Sequence, residues 1–247
     1  FMDLLNEQFD RCKSEKDYEK VLKQIYSIKI FDPASGSGNF LIVTYKQLCR
    51  LEFKIFSALQ EINSLKWTLA SLGIRSNQFY ALTIQDFDAQ IAKLSMYITE
   101  HQMHRELSDI FGEVSPTLPF SNTLNIKVTN SLHEDWKIFL NAGDEEIFII
   151  GNPPYVGSSM QDNAQKNDMN FVLGNYSNYK NLDYIACWFE KGSQFISKTS
   201  NSSMALVSTN SITQGEQVDL LWPNIDKLGV SINFAYHSFK WKNNAQH

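Results

Sequence analysis

Two short segments of the chain contain residue types at spacings that could do chemistry. Residues 31–40 read FDPASGSGNF and residues 149–155 read IIGNPPY. Each segment includes or directly follows a short apolar run that predicts a strand. Open parallel α/β sheets bind ligands beyond the carboxyl ends of their strands, so both segments are candidates for a ligand-binding edge.

The first segment suits a nucleoside cofactor. Gly36 and Gly38 allow positive φ and close backbone approach, and Asp32 can accept a hydrogen bond or attract a cationic ligand group. The Gly-Lys-Ser/Thr of a phosphate-binding loop is missing, which argues against ATP hydrolysis, and the third glycine of the dinucleotide fingerprint is missing, which weakens an NAD hypothesis. Taken alone, a Gly-x-Gly is more typical of a tight strand-to-helix turn, but the full ten-residue segment favours a cofactor loop.

The second segment suits the activation of an amino group. Pro153 and Pro154 fix their own φ and restrict the residue before each of them, so the carbonyls here are rigidly aimed, and Asn152 adds an amide oxygen. The amino nitrogen of adenine is a poor nucleophile, and two fixed acceptors for its hydrogens would draw it toward a reactive, tetrahedral state. Tyr155 would stack on the base. The alternative is a rigid turn after a strand.

The elements around these segments alternate between short apolar runs and helical patterns, which predicts an α/β fold with a doubly wound, mostly parallel sheet flanked by helices. An N-terminal helical segment, 1–26, precedes one domain, 27–247. Strands are expected at 27–31, 78–84, 125–129, 146–150, 204–208 and 230–236, and helices at 40–59, 86–107, 182–196 and 215–228. The polar, Asn-rich stretch 157–180 is expected to be a mobile loop beside the site.

Composition narrows the class of protein. The chain has 247 residues, 43% of them hydrophobic, which is enough for a sizeable core. Its formal net charge of −5 is not the basic footprint of a self-sufficient duplex binder. Three widely spaced cysteines indicate neither a disulfide framework nor a zinc site, which favours a reducing cytoplasm. No metal is expected at His101 and His104. No apolar run is long enough to span a membrane.

Together the two motifs resemble motifs I and IV of amino-group DNA methyltransferases, in the order of their gamma arrangement. Further stretches resemble the adenine methyltransferases within fused restriction-modification proteins of the MmeI-like type: 45–52, 100–103, 157–168, 182–192, 208–222 and 238–244. The resemblance implies a Rossmann-like class I fold, the cofactor S-adenosylmethionine, and methylation of the N6 amino group of adenine in double-stranded DNA. Asn-Pro-Pro-Tyr alone also occurs in methyltransferases that act on protein glutamine and on RNA.

Site residues follow from the resemblance by position. The catalytic residues it implies are Asn152, Pro153, Pro154 and Tyr155. The residues it places around the cofactor are Asp32, Ala34, Ser35, Gly36, Gly38, Asn39, Phe40, Thr83, Ile84, Asn130 and Ser131. Phe239 and Trp241 match the region whose aromatic side chain packs on the flipped base.

The chain departs from the family pattern at one of these positions. Family members carry an acidic residue that binds the ribose hydroxyls where this chain has Thr83, which cannot make the charge-assisted bidentate bond. Asn130 and Ser131 are equally explained as a helix-capping turn. A non-catalytic module with a degenerate cofactor pocket therefore stays open, as does a protein-glutamine or RNA methyltransferase.

Both ends of the chain resemble fragment boundaries, and nothing in it resembles a sequence reader. Sequence recognition on double-stranded DNA is expected from a target-recognition region outside the chain. Because flipping an adenine costs a few kcal/mol that contacts on both sides of the groove normally offset, the fragment alone is expected to be weak or inactive on DNA.

Overall fold

The computed structural model describes residues 1–63, 71–112, 124–141, 143 and 145–239. The chain divides into two compact units. The first is Phe1–Gly151 with Asn201–Ala205, and the second is Asn152–Ser200 with Leu206–His247.

A five-stranded sheet forms the centre of the first unit. Its strands are β1 Lys29–Asp32, β2 Phe79–Thr83, β3 Asn125–Val128, β4 Ile147–Gly151 and β5 Ser202–Leu206. They are ordered β3-β2-β1-β4-β5, and the β1–β2, β1–β4 and β2–β3 pairs are parallel. This confirms the predicted doubly wound α/β fold. The order reverses between β1 and β4, which is the position where such sheets bind their ligands.

The described residues of the first unit form five α-helices: α1 Met2–Arg11, α2 Glu15–Ser27, α3 Asn39–Asn63, α4 Asp86–Phe111 and α5 Trp136–Leu140. The predicted N-terminal helical segment is a helix pair because Ser14 and Asp17 form a capping box that starts a second helix. None of the helices within the described ranges is both long and apolar enough to cross a membrane.

Alternation along β1 sends its side chains to two different hydrophobic layers. Ile30 belongs to the core cluster that includes Leu48 of α3 and Phe79 of β2. The next residue, Phe31, packs edge-on against Trp136 of α5, with ring centroids 5.1 Å apart. Since neighbouring residues of a strand point to opposite faces, β1 is buried from both sides and its end is held firmly.

Up to residue 239, the second unit contains three α-helices: α6 Asn163–Leu173, α7 Ala186–Ile196 and α8 Glu216–Asp226. The first of them contradicts the loop predicted over 157–180. Asp162 and Gln165 form a capping box at the start of α6, and Met169 and Leu173 are buried on its inner face. Local capping together with this apolar spacing stabilises a helix in a segment whose composition resembles a loop.

The strand predicted over 230–236 is also wrong, because residues 230–239 have no regular secondary structure. The alternating apolar residues Ile232, Phe234 and Tyr236 are all exposed, at 65%, 60% and 84%. A two-residue period favours a strand only where one face becomes buried, and here neither face is.

Candidate functional site

Asp32 is the last residue of β1, and its side chain is fully buried. Its Oδ1 accepts a hydrogen bond from the Ala34 backbone N–H at 3.0 Å. Its Oδ2 is buried and has no hydrogen-bond partner in the described part of the chain. Burial raises the pKa of Asp32 to about 7, although the bond from Ala34 acts in the opposite direction. A buried carboxylate oxygen without a donor is well suited to a cationic or hydrogen-bonding ligand group.

The loop after Asp32 is shaped by its glycines and by a bond to the neighbouring strand. Ser35 donates its backbone N–H to the Leu82 carbonyl at 3.0 Å, which ties the loop to the end of β2. Gly36 has φ of 48° and open space where a Cβ would stand. Gly38 has φ of 84°, and a Cβ there would lie 3.1 Å from the Cβ of Ala92 in α4. The first glycine leaves room at the site, and the second lets α4 pack closely.

The end of β4 also lies against Asp32. A Cβ built on Gly151 would fall 2.7 Å from Asp32 Oδ1 and 3.7 Å from Cδ of Pro33. A side chain at residue 151 would therefore fit only if the neighbouring carboxylate moved. Within the first unit, Asp32 and Gly151 therefore lie close together where β1 and β4 end side by side.

Thr83 and Ile84 lie at the end of β2. The Thr83 side chain is buried, and its carbonyl accepts a hydrogen bond from the Thr129 N–H at 2.8 Å. Ile84 is 66% exposed. The residue that departs from the family pattern is thus a buried threonine, and an exposed apolar side chain that a purine ring could cover follows it.

Asn130 and Ser131 form a turn after β3. The side-chain Oδ1 of Asn130 accepts a hydrogen bond from the Leu132 N–H at 3.0 Å, and the Ser131 carbonyl accepts one from the indole N–H of Trp136 at 2.9 Å. Both oxygens support the local turn, as the capping interpretation expects. A role for these two residues in cofactor binding stays a prediction.

The other predicted cofactor residues cluster in the same region of the first unit. Ala34 and Phe40 are half-buried, Ser35 is buried, and Asn39 is exposed at the start of α3. All the residues predicted to hold the cofactor lie at, or shortly after, the carboxyl ends of β1, β2 and β3, which are neighbours in the sheet.

The second unit begins at Asn152, directly after β4. Asn152 Oδ1 is buried and has no hydrogen-bond partner among the described residues. Pro153 is buried and Pro154 is exposed, while the Tyr155 side chain is 46% exposed. The segment thus contains a rigid backbone, an acceptor without a donor and an accessible aromatic ring.

Sequence reasoning missed the residues that hold this segment. The Val156 carbonyl accepts a hydrogen bond from the Tyr184 N–H at 2.9 Å. The buried Gln161 side chain donates to the carbonyls of Val156 and Leu182. The sequence contained one indication of their importance: Gln161 and Tyr184 lie in two of the stretches that resemble the family, 157–168 and 182–192.

The structure describes one of the two aromatic residues that are predicted to contact a flipped base. Phe239 is 67% exposed and is the last described residue after α8. Trp241 lies outside the described residues. Their proposed contact with a base stays a prediction.

These features together are typical of a methyltransferase domain: a doubly wound parallel sheet, a glycine-rich loop after its first strand and Asn-Pro-Pro-Tyr after its fourth. The chain belongs to the family described as MmeI, DNA-methyltransferase domain, whose pattern matches residues 8–247.

Two relatives support this assignment. The chain is 46% identical over its full length to DNA methyltransferase A of Bacillus subtilis (strain 168) and covers 28% of that protein. It is 40% identical to the type IIL restriction-modification enzyme MmeI, whose structure was solved in complex with DNA, with a TM-score of 0.93 over 99% of the chain and 33% of MmeI. The chain therefore spans about a third or less of each of these proteins.

Proposed function

We propose that the chain is the catalytic part of a restriction-modification protein that transfers a methyl group from S-adenosylmethionine to the N6 amino group of adenine in DNA. The observation that carries the proposal is the buried Oδ1 of Asn152, which lies beside two prolines and has no hydrogen-bond partner among the described residues. An acceptor kept buried without a donor costs free energy, and binding of an amino group would recover it.

The first unit fits the cofactor. Within the described part of the chain, Asp32 Oδ2 lacks a donor, Gly36 leaves open space, and Ile84 exposes an apolar surface. Asp32 would attract the cationic methionine part, and Ile84 would cover the purine. Thr83 would offer one hydroxyl to the ribose, at the position where the family resemblance implies a carboxylate. When bound, S-adenosylmethionine supplies an electrophilic methyl group on a sulfonium.

The residues after β4 would prepare the adenine. Asn152 Oδ1 and the Pro153 carbonyl would accept the two amino hydrogens and increase the nucleophilicity of the nitrogen, while Tyr155 would stack on the ring. No strong general base is needed before the attack, because the amino group becomes acidic once it carries the methyl group.

Several features support DNA as the substrate. Both relatives are DNA-modifying proteins by name, and the MmeI structure contains DNA. The net charge of −5 by itself provides little electrostatic attraction for DNA. We therefore propose that a target-recognition region elsewhere in a longer protein supplies most of the binding energy for double-stranded DNA.

The test uses the protein as its gene encodes it, with unmethylated genomic DNA and tritium-labelled S-adenosylmethionine. Digestion to nucleosides should release label in N6-methyldeoxyadenosine. Asn152→Ala should lower the rate roughly 100-fold or more without weakening cofactor binding. The exposed residue Asn175 provides a matched control, since Asn175→Ala should leave the rate unchanged. Label in another nucleoside, or no label in DNA, would contradict the proposal.

A further inference from the structure

The side-chain amide of Gln161 bridges two backbone carbonyls inside the second unit. Its Nε2 lies 3.4 Å from the Val156 carbonyl oxygen and 3.0 Å from the Leu182 carbonyl oxygen, and the residue is 5% exposed. An amide nitrogen has two hydrogens, one for each carbonyl, so both acceptors determine which way the amide faces. Burial makes these bonds costly to lose, because the Leu182 carbonyl would lose the donation from Gln161 and the Val156 carbonyl would lose one of its two donors.

Val156 follows the Asn-Pro-Pro-Tyr segment directly, and its carbonyl is held twice. Besides Gln161, the Tyr184 N–H donates to it at 2.9 Å. Tyr184 is itself fixed, because its hydroxyl donates to Asp168 at 2.6 Å and its ring packs edge-on against Trp188. The carbonyl at the end of the segment is therefore anchored to a rigid part of the second unit.

Few freely rotating backbone torsions separate the Val156 carbonyl from Asn152 and Pro153, which are proposed to accept the amino hydrogens. Pro153 and Pro154 have fixed φ, and each restricts the backbone of the residue before it. Holding the carbonyl of Val156 therefore restricts the direction of the Asn152 amide and the Pro153 carbonyl far more than it would in a flexible segment. Small displacements of catalytic groups are costly, since about 1 Å can reduce a rate by roughly 100-fold.

We propose that Gln161 is a positioning residue for methyl transfer: by bridging the Val156 and Leu182 carbonyls, it holds the Asn152–Tyr155 segment in the geometry that receives the target amino group. The inference rests on the proposed function for its catalytic meaning. Gln161 is buried and bonded to backbone carbonyls, so the role proposed for it acts through the backbone and not through contact with substrate or cofactor.

The experiment replaces Gln161 by glutamate and by methionine in the protein as its gene encodes it. Gln161→Glu has nearly the same shape, but its carboxylate cannot donate to either carbonyl. At pH 8 the turnover rate should fall roughly 10- to 100-fold, while cofactor affinity and the KM for DNA change less than about twofold. Gln60→Glu, at an exposed position of α3, adds the same charge and should change nothing.

The pH profile separates positioning from a general loss of structure. Below the pKa of a buried glutamic acid, the protonated carboxyl of Gln161→Glu can donate one hydrogen bond again. Its rate relative to the parent should therefore recover several-fold between pH 8 and pH 6. Gln161→Met cannot donate at any pH and should show no recovery. Full activity of Gln161→Met, or equal losses in turnover and cofactor affinity, would overturn the proposal. Unfolding of both variants would also overturn it, because Gln161 would then only stabilise the core.

Hydrogen–deuterium exchange tests the bridge without any methylation. Amides of residues 155–160 should exchange faster in Gln161→Glu than in the parent, while those of β1 should stay the same. If the parent transfers no methyl group to DNA but exchange increases as expected, the proposed function fails and the bridge stands. Unchanged exchange at residues 155–160 would overturn the bridge whatever the activity.

Discussion

The carboxylate of Asp32 occupies the space in which a side chain at residue 151 would begin. A Cβ on Gly151 would lie 2.7 Å from Asp32 Oδ1, the oxygen that also accepts the Ala34 N–H. The glycine before Asn152 is therefore part of the environment of the predicted cofactor ligand. This contact links the end of β1 to the end of β4, where the strand order of the sheet reverses.

Gly151→Ala should force the Asp32 carboxylate to rotate and break its bond to Ala34. We expect the free energy of unfolding to fall by about 1–3 kcal/mol and cofactor affinity to fall about tenfold or more. Denaturant unfolding and calorimetric titration with S-adenosylmethionine measure the two effects. Gly112→Ala is the control: it strains a left-handed backbone position with open space around it, and should reduce stability only. Unchanged affinity in Gly151→Ala would contradict the argument.

Cofactor binding should depend on pH through Asp32. With a pKa of about 7, the carboxyl is largely protonated at pH 6 and largely ionised at pH 8. Only the ionised form attracts the cationic methionine part, so affinity should rise several-fold between these pH values. Calorimetric titrations at both pH values check this. Asp32→Asn should bind weakly and should lose most of the pH dependence; a parent with flat affinity would show that Asp32 is not the ligand.

The same residue should make the stability of the fold depend on pH. Its pKa is raised from 3.8 in the reference state to about 7, so the folded chain binds more protons than the unfolded chain between these values. The free energy of unfolding should therefore decrease as pH rises from about 4 to about 7, by roughly 2–4 kcal/mol in total, and level off above. Denaturant unfolding of the parent and of Asp32→Asn across this range isolates the contribution, because the variant should lack this part of the slope.

Thr83→Glu should strengthen cofactor binding. A carboxylate at the end of β2 could accept hydrogen bonds from both ribose hydroxyls, which a threonine hydroxyl cannot do, and the gain should be about tenfold in affinity. Glutamine is close to glutamate in volume but has no charge, so Thr83→Gln controls for the steric effect of a larger side chain at this buried position. Calorimetry on the three proteins decides the matter. Equal or weaker binding by Thr83→Glu would mean that the ribose does not lie at this position.

Tyr155 should contribute through its ring and not through its hydroxyl. Its side chain is 46% exposed, so it is accessible to a base. Stacking of a base on an aromatic ring contributes about 1–3 kcal/mol, so Tyr155→Ala should lower methyl transfer about tenfold or more. Tyr155→Phe keeps the ring and should stay within about threefold of the parent in the labelled-methyl assay. A large loss in the phenylalanine variant would assign the role to the hydroxyl.

Sequence alone predicted the features that depend on local backbone chemistry. Glycines at 36 and 38 indicated a turn with positive φ, and the turn is present. The paired prolines after an apolar run indicated a rigid segment at a strand end, and β4 ends directly before it. The alternation of apolar runs with helical patterns predicted a parallel α/β sheet. Sequence is sufficient for these features because the signals act between residues that are close together in the chain.

Local signals were insufficient wherever burial decided the outcome. Residues 157–180 have the composition of a loop, yet α6 forms because its inner face is buried. Residues 230–236 alternate like a strand, yet all three of their large apolar side chains remain exposed. Periodicity specifies which face of an element could be buried, but only the other elements determine whether it is.

The chain by itself therefore determined which residues could do the chemistry, because residue type and short spacing fix the available donors, acceptors and turns. Only the tertiary structure decided that Asp32 lies against Gly151 and that Gln161 bridges Val156 and Leu182. These contacts depend on which strands become neighbours and which carbonyls are left in need of a donor. Both are consequences of packing between distant segments, and no local pattern encodes them.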